Sequence, residues 1–195
     1  MPSMVEVDEI HEKTADSGVT IKNDLKLSSG NAIKNASGAD LLTEAGALGS
    51  GVVFPAGHVV QVIQSRIDGT IAIDDVGSYG SLGHSAAITP AAGNKVLVCL
   101  NVISHYIDVD RQIHGQVWRD IAGGGYSAVF DAFRYELYAS AVVGGMSQMY
   151  LDTPPDIDGS DVVTYRVYGK TNLGSQQYHN GSDFPNTLTL MEIVA

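Results

Sequence analysis

Disulfides, membrane spans and basic runs are all missing from this chain. Cysteine occurs once, at Cys99, so no intrachain disulfide can form. Within Lys95-Val-Leu-Val-Cys-Leu-Asn-Val-Ile103 it reads as a small buried hydrophobe, since no base that could activate it lies nearby in sequence. Lys and Arg number 11 against 22 Asp and Glu, a net charge of −11 with no Lys/Arg run, which argues against binding nucleic acid through its phosphates. The acidic balance suits solubility at high copy number and docking onto a basic surface. No apolar run approaches membrane-spanning length, so insertion into a bilayer is not expected. The first ten residues hold no basic region followed by an apolar stretch, so no secretory signal is expected and synthesis is placed in a cytoplasm.

Catalytic and metal-ligand patterns are equally scarce. His11, His58, His84, His105, His114 and His179 fall into no recognised ligand spacing. His105 and His114, on central strands, could gather a metal only if a threefold axis brought three copies together. Asp156-Ile-Asp-Gly-Ser-Asp161 lacks the length and closing Glu of a calcium loop and reads as a solvated turn after Pro154-Pro155. Ser104, His105 and Asp108 come with neither a nucleophile elbow nor an oxyanion loop. Gly123-Gly-Gly125 precedes no helix bearing a Lys, so it is a turn and not a phosphate cradle. No enzyme activity, catalytic residue, metal or cofactor is expected.

What is present points to short strands and tight turns. The 195 residues are 44% hydrophobic and 17% charged, which places the chain among globular proteins, and the 22 glycines fit many turns. Composition shifts near residue 50. Residues 1–49 hold four of the six lysines and few large apolar groups. There Val19–Leu27 alternates apolar and polar residues, and Ala32-Ile-Lys34 and Asp40-Leu-Leu42 are short apolar steps between turns. Such a segment buries too little to fold alone, so it is expected to wrap against copies of itself or another protein as a shaft or anchor.

Residues 50–195 read as an antiparallel sandwich or barrel. Expected strands are His58–Arg66, Thr70–Asp74, Ser85–Thr89, Lys95–Ser104, Ile113–Arg119, Ala128–Tyr138, Ser147–Leu151, Val162–Tyr168 and Thr187–Val194. Phe130, Phe133 and Leu137 would also suit a helix, but strand is the better reading of that segment. Val96, Val98, Leu100 and Val102 alternate with Leu97, Cys99 and Ile103, so this strand is apolar on both faces. In an antiparallel sheet that calls for one face on the opposite sheet and the other on something else, and another subunit is the economical choice. Candidate core or intersubunit residues are Val98, Leu100, Tyr165, Tyr168, Leu188, Leu190 and Glu192. Glu192 shares the Leu188 and Leu190 face. It either pairs with an arginine or lysine or is turned to water by a bulge at Met191. Trp118, Tyr126, Tyr178 and Asn180, with Tyr165 and Tyr168, could form a glycan patch, although packing between subunits accounts for tyrosines equally well.

Several passages, in order, resemble the trimeric jelly-roll heads of phage fibre and capsid-decoration proteins, which are of the tumour-necrosis-factor or complement type. Ile88-Thr-Pro-Ala-Ala-Gly-Asn-Lys-Val-Leu-Val-Cys-Leu100 resembles the step opening the second half of such heads. Ile113-His-Gly-Gln-Val-Trp-Arg-Asp120 is similar to the next strand, with its Arg after a large apolar residue. Tyr150-Leu-Asp-Thr-Pro154, Thr164-Tyr-Arg-Val-Tyr168 and Thr187–Ile193 resemble the closing passages, and Val7–Ile21 resembles the start of fibre-like shafts. The resemblance implies a homotrimer with a shaft or anchoring segment (1–49) before an all-β antiparallel jelly-roll head (50–195). It implies a virion structural protein that partners itself and other capsid or tail proteins, as capsid decoration, cement or a short fibre. The alternative it leaves is a tail-fibre tip recognising a host surface glycan, and a hydrolase of surface polysaccharide is a distant third. The roughly 50-residue pre-head region is short for a receptor-reaching fibre.

Overall fold

The computed structural model describes residues 32–34, 36–43, 52–69, 71–74, 76–105, 111–137, 143–172, 176–178 and 185–195. The chain divides into two units, Met1–Val53 and Phe54–Ala195, a few residues beyond the glycine-rich joint read from the sequence. In the first unit, the two short apolar steps pair as a hairpin of β1 (Ala32–Lys34) and β2 (Asp40–Thr43). The Lys34 ammonium binds the Asp40 carboxylate across that hairpin. The expected strand over Val19–Leu27 lies outside the described residues.

The second unit contains β3 (Val59–Ile67), β4 (Ile71–Ile73), β5 (Gly80–Ile88), β6 (Lys95–His105), β7 (Arg111–Ile121), β8 (Ser127–Leu137), β9 (Val143–Asp152), β10 (Val163–Thr171), β11 (Gln176–Tyr178) and β12 (Asn186–Ile193). One sheet runs β3-β12-β6-β9, with β4 and β11 joined beyond the His105 end of β6; the other runs β5-β10-β7-β8. All strand pairs are antiparallel, and no helix occurs among the described residues. Strands far apart in sequence lie side by side in both sheets, so the unit is an antiparallel jelly-roll sandwich.

The residues of β10 alternate strictly between buried and half-buried along the strand. Val163, Tyr165 and Val167 therefore share the core with Val96, Val98 and Leu100 of β6, Ile113 and Val117 of β7, and Leu188 and Leu190 of β12. Two glycines are required by this packing. A Cβ on Gly115 would stand 2.1 Å from the Phe133 ring, so only glycine lets that ring lie flat on β7. In β5, Leu82–His84 oppose the single Val167 of β10, and this bulge is turned by Gly83 at φ +70°.

Candidate functional site

With the core faces occupied by the opposing sheet, each sheet has one face left, and the two differ in chemistry. On the six-stranded sheet, register aligns Val62, Met191, Leu97 and Leu151 in one row across four strands. Val62 and Leu151 are about half exposed, and Met149 in the next row is 70% exposed. Cys99 lies between Thr189 and Met149, half-buried on this outer face and not in the core, because Val98 and Leu100 take the core positions on either side. Burial raises its thiol pKa above the usual value. The row of Cys99 and Met149 is already polar at its other end, where Gln64 donates to Thr189 Oγ1 at 2.9 Å, and in the row beyond it Asn101 donates to Thr187 Oγ1 at 3.2 Å.

The outer face of the four-stranded sheet is built around rings and cations. Arg166 and Trp118 stand opposite each other on β10 and β7, as do Tyr168 and Gln116, and then Lys170 and His114. Trp118 stacks on Tyr168 with centroids 4.5 Å apart, and Tyr126, from the β7–β8 turn, leans on Tyr168 at 5.9 Å. The Arg166 guanidinium lies 4.5 Å from the Tyr126 ring centre, and Lys170 Nζ lies 4.4 Å from that of Tyr79. The Trp118 indole donates to Gln116 Oε1 at 3.0 Å, and the Gln116 amide donates to Asp131 at 2.7 Å. Burial and the Asp131 charge together raise the Tyr79 phenol above its ordinary pKa, so it stays protonated.

Trp118 and Tyr126, expected from sequence as a ligand patch, are thus brought together, with Tyr168 between them. Tyr178 lies on β11, with nothing described of its side chain, and Asn180 falls outside the described residues. Val98, Leu100, Tyr165, Leu188 and Leu190 are fully buried core. Tyr168, grouped with them from sequence, is half-buried on the outer face instead. The three-residue spacing from Tyr165 puts the two rings on opposite sides of a strand. Sequence reasoning missed Tyr79, Gln116, Asp131 and Lys170, which come together only through non-local register.

Two polar clusters hold the sandwich together. Arg119 Nη1 on β7 donates to both carboxylate oxygens of Asp152, at 2.8 and 2.7 Å, and the buried Tyr165 hydroxyl donates to the same carboxylate at 2.7 Å. This joins the two sheets, since Asp152 ends β9. Burial and the hydrogen bond to Asp152 push the Tyr165 pKa far above the ordinary range. Glu192 is buried, and the β12 bulge falls just after it. Its carboxylate accepts hydrogen bonds from the Ala91 backbone N–H at 2.8 Å and the Asn94 amide at 2.7 Å, donors that stand in place of the expected arginine or lysine. At the loop after Pro155, Ser160 donates through its N–H and hydroxyl to Asp158, each at 2.7 Å, and these bonds lower the Asp158 pKa.

No family model matches the chain, and no curated protein matches it in sequence. Solved structures with a similar chain trace include that of Eiger TNF from S. frugiperda, at 9% identity and a TM-score of 0.48, covering 70% of this chain and 94% of that one. A second is that of infectious bursal disease virus, Gt strain, at 11% identity and a TM-score of 0.47, covering 69% of this chain and 38% of that one.

Proposed function

We propose that this protein is a virion structural protein that acts by association: a homotrimer whose jelly-roll heads meet through the outer face of the six-stranded sheet. The carrying observation is the Val62–Met191–Leu97–Leu151 row, with Met149 beside it. An aligned apolar row across four strands is costly to leave in water and is the mark of an association surface. The first unit then anchors the heads to other capsid or tail proteins, as capsid decoration or as a short phage fibre. The passages around Ile88–Leu100 and Tyr150–Tyr168 that resemble trimeric phage heads support the same reading. Light scattering on the full chain tests it. A mass near three times 20.6 kDa is expected, falling towards one chain in Leu97→Glu and Leu151→Glu. A monomeric unaltered protein overturns it.

A second reading, a tip that binds host surface glycan, is favoured by one feature: the ring-and-cation face of the four-stranded sheet, on the side away from the apolar row. Capsids weakened by loss of the protein would favour decoration, whereas glycan binding lost with Trp118→Ala would favour the tip. The two roles are compatible in one trimer, because they use opposite faces.

A further inference from the structure

The ring-bearing face also holds a cation with no counter-charge. Arg166 stands half-buried on the outer side of β10, between Ser85 of β5 and Trp118 of β7. Its Nε is buried and meets no hydrogen-bond acceptor, and the residue makes no ion pair among the described residues. Buried polar groups are nearly always paired, and one left without a partner is destabilising. Carboxylates are not scarce, since the chain holds 22 Asp and Glu against 11 Lys and Arg. Two of them share this face, but Asp120 accepts the Gly125 N–H at 2.6 Å and Asp131 accepts the Gln116 amide at 2.7 Å. What holds the guanidinium is the Tyr126 ring, 4.5 Å from it. Lys170, four residues on, is held in the same way over Tyr79 and also makes no ion pair among the described residues.

We propose that Arg166 anchors a docking patch for an acidic segment of another polypeptide, whose side-chain carboxylate pairs with the guanidinium; the proposal rests on the association reading above and adds a second contact to it. Three observations carry it. First, a guanidinium is a planar fork suited to a carboxylate, and the Tyr126 ring against it fixes its place before any partner arrives. The turn that delivers Tyr126 is itself set, with Gly123 at φ +79°, Gly125 at φ +105° and the Asp120 carboxylate bonded to the Gly125 N–H. Second, Trp118, Tyr168 and Tyr126 form one connected ring surface beside the fork, with centroids 4.5 and 5.9 Å apart along it. Trp, Tyr and Arg gathered in one patch are the residues that dominate binding between proteins. Third, neither of the two hollows on this face, about 320 and 280 Å3, is lined by Arg166, Trp118, Tyr126 or Tyr168. Small ligands take concave sites, so this part of the sheet suits a broader partner. The opposite sheet already serves the copies of this chain, so the occupant here is a different polypeptide.

Trp118 is the only tryptophan of the chain and stands opposite Arg166, so its fluorescence reports on this patch. The test titrates the full-length protein with capped hexaglutamate, trigalacturonate and sodium sulfate, following Trp118 emission. Hexaglutamate is expected to give a saturable change that weakens with added salt. Arg166→Met keeps the apolar stem and removes the fork, and should weaken hexaglutamate binding by about ten-fold. Arg166→Lys should not restore it, because an ammonium keeps the charge but not the planar pair of donors. Thermal unfolding separates docking from a structural role. A group with no acceptor in its own chain can be replaced without loss, so the midpoint of Arg166→Met should match or exceed that of the parent. A clearly lower midpoint overturns the proposal, because it would show Arg166 held by its own fold. No saturable response to hexaglutamate, or a response unchanged in Arg166→Met, overturns the site. Full binding by Arg166→Lys overturns the role of the fork. An equal response to trigalacturonate overturns the polypeptide assignment in favour of glycan, and an equal response to sulfate reduces the site to a general anion contact and overturns it too. None of these outcomes moves the light-scattering mass, so failure here is distinguishable from failure of the trimer reading.

Discussion

The two outer faces of this sandwich are made by the same alternation of side chains on strands sharing one core, yet they have opposite chemistry. On the six-stranded sheet the leftover positions include Val62, Met191, Leu97 and Leu151, a row with no polar group in it. On the four-stranded sheet they are Arg166 beside Trp118, Tyr168 beside Gln116, and Lys170 beside His114. A row of aliphatic side chains gains only by excluding water, so it suits a large, flat, permanent contact. Rings with cations above them keep their polar edges wet and gain by selecting a ligand. Difference in outward chemistry, and not in fold, is what separates the proposed assembly face from the proposed recognition face.

The comparison can be broken outright at the point where the faces depend on each other. Asp152→Ala leaves the Tyr165 hydroxyl and the Arg119 guanidinium without their shared acceptor, between sheets. It should cost about 3–5 kcal/mol in urea unfolding and degrade both faces together. If association survived while Trp118 emission shifted, the sheets would be less coupled than this cluster implies. Next in size is Gly115→Ala, which drives a Cβ into the buried Phe133 ring on the core side of β7 and β8. A loss of about 1–3 kcal/mol with unchanged oligomeric mass would confine the damage to the four-stranded sheet. Leu97→Glu is the converse: association is lost, while Trp118 emission is untouched.

A smaller effect comes from pH. His84 is fully buried, with Nε2 3.3 Å from the Ser65 carbonyl oxygen, and burial lowers its pKa below the ordinary 6.5. The unfolded chain then binds a proton more readily than the folded one. Stability is full above about 6.5 and is lost as pH falls from there through the folded-state value. Thermal midpoints measured downward from neutral pH should decline over that window in the parent and less steeply in His84→Gln. The smallest is Gly83→Ala, costing about 1 kcal/mol from the left-handed backbone of the β5 bulge, with no clash and neither face altered.

Much of this fold was legible in the sequence. The nine expected strands of the second unit correspond to β3 through β10 and β12, because alternation, β-branched residues and turn signals agree in each. The start of β5 was missed: Ser81, Gly83, Ser85 and Ala87 point outward, and small residues around a bulge carry no strand signature. Gln176–Tyr178 has no apolar alternation, so β11 was missed as well. The apolar row was legible in part, through the two-sided β6. The clustering of Tyr79, Gln116, Asp131 and Lys170 on the other face was not, since they are joined only by pairings across β10, β7 and β8 and by the approach to β5. The Arg119–Asp152–Tyr165 cluster is an intermediate case. Its members sit in three separate passages that resemble phage heads, but nothing local announces that they meet.

The place of β12 carries a further consequence, in the order of events as the chain is made. It lies inside its sheet, between β3 and β6, and its Thr189 is bonded to a Gln64 that stands 125 residues earlier. Until β12 emerges, β3 and β6 have no common partner, and their exposed edges are open to the wrong one. Closure of the sandwich therefore waits until β12 has been made, and pairings this distant form slowly, on the scale of roughly milliseconds to seconds. Many copies made at once in one cell would share that vulnerable interval. The acidic charge of the chain then serves a purpose before folding is complete: it holds unfinished neighbours apart while each waits for β12.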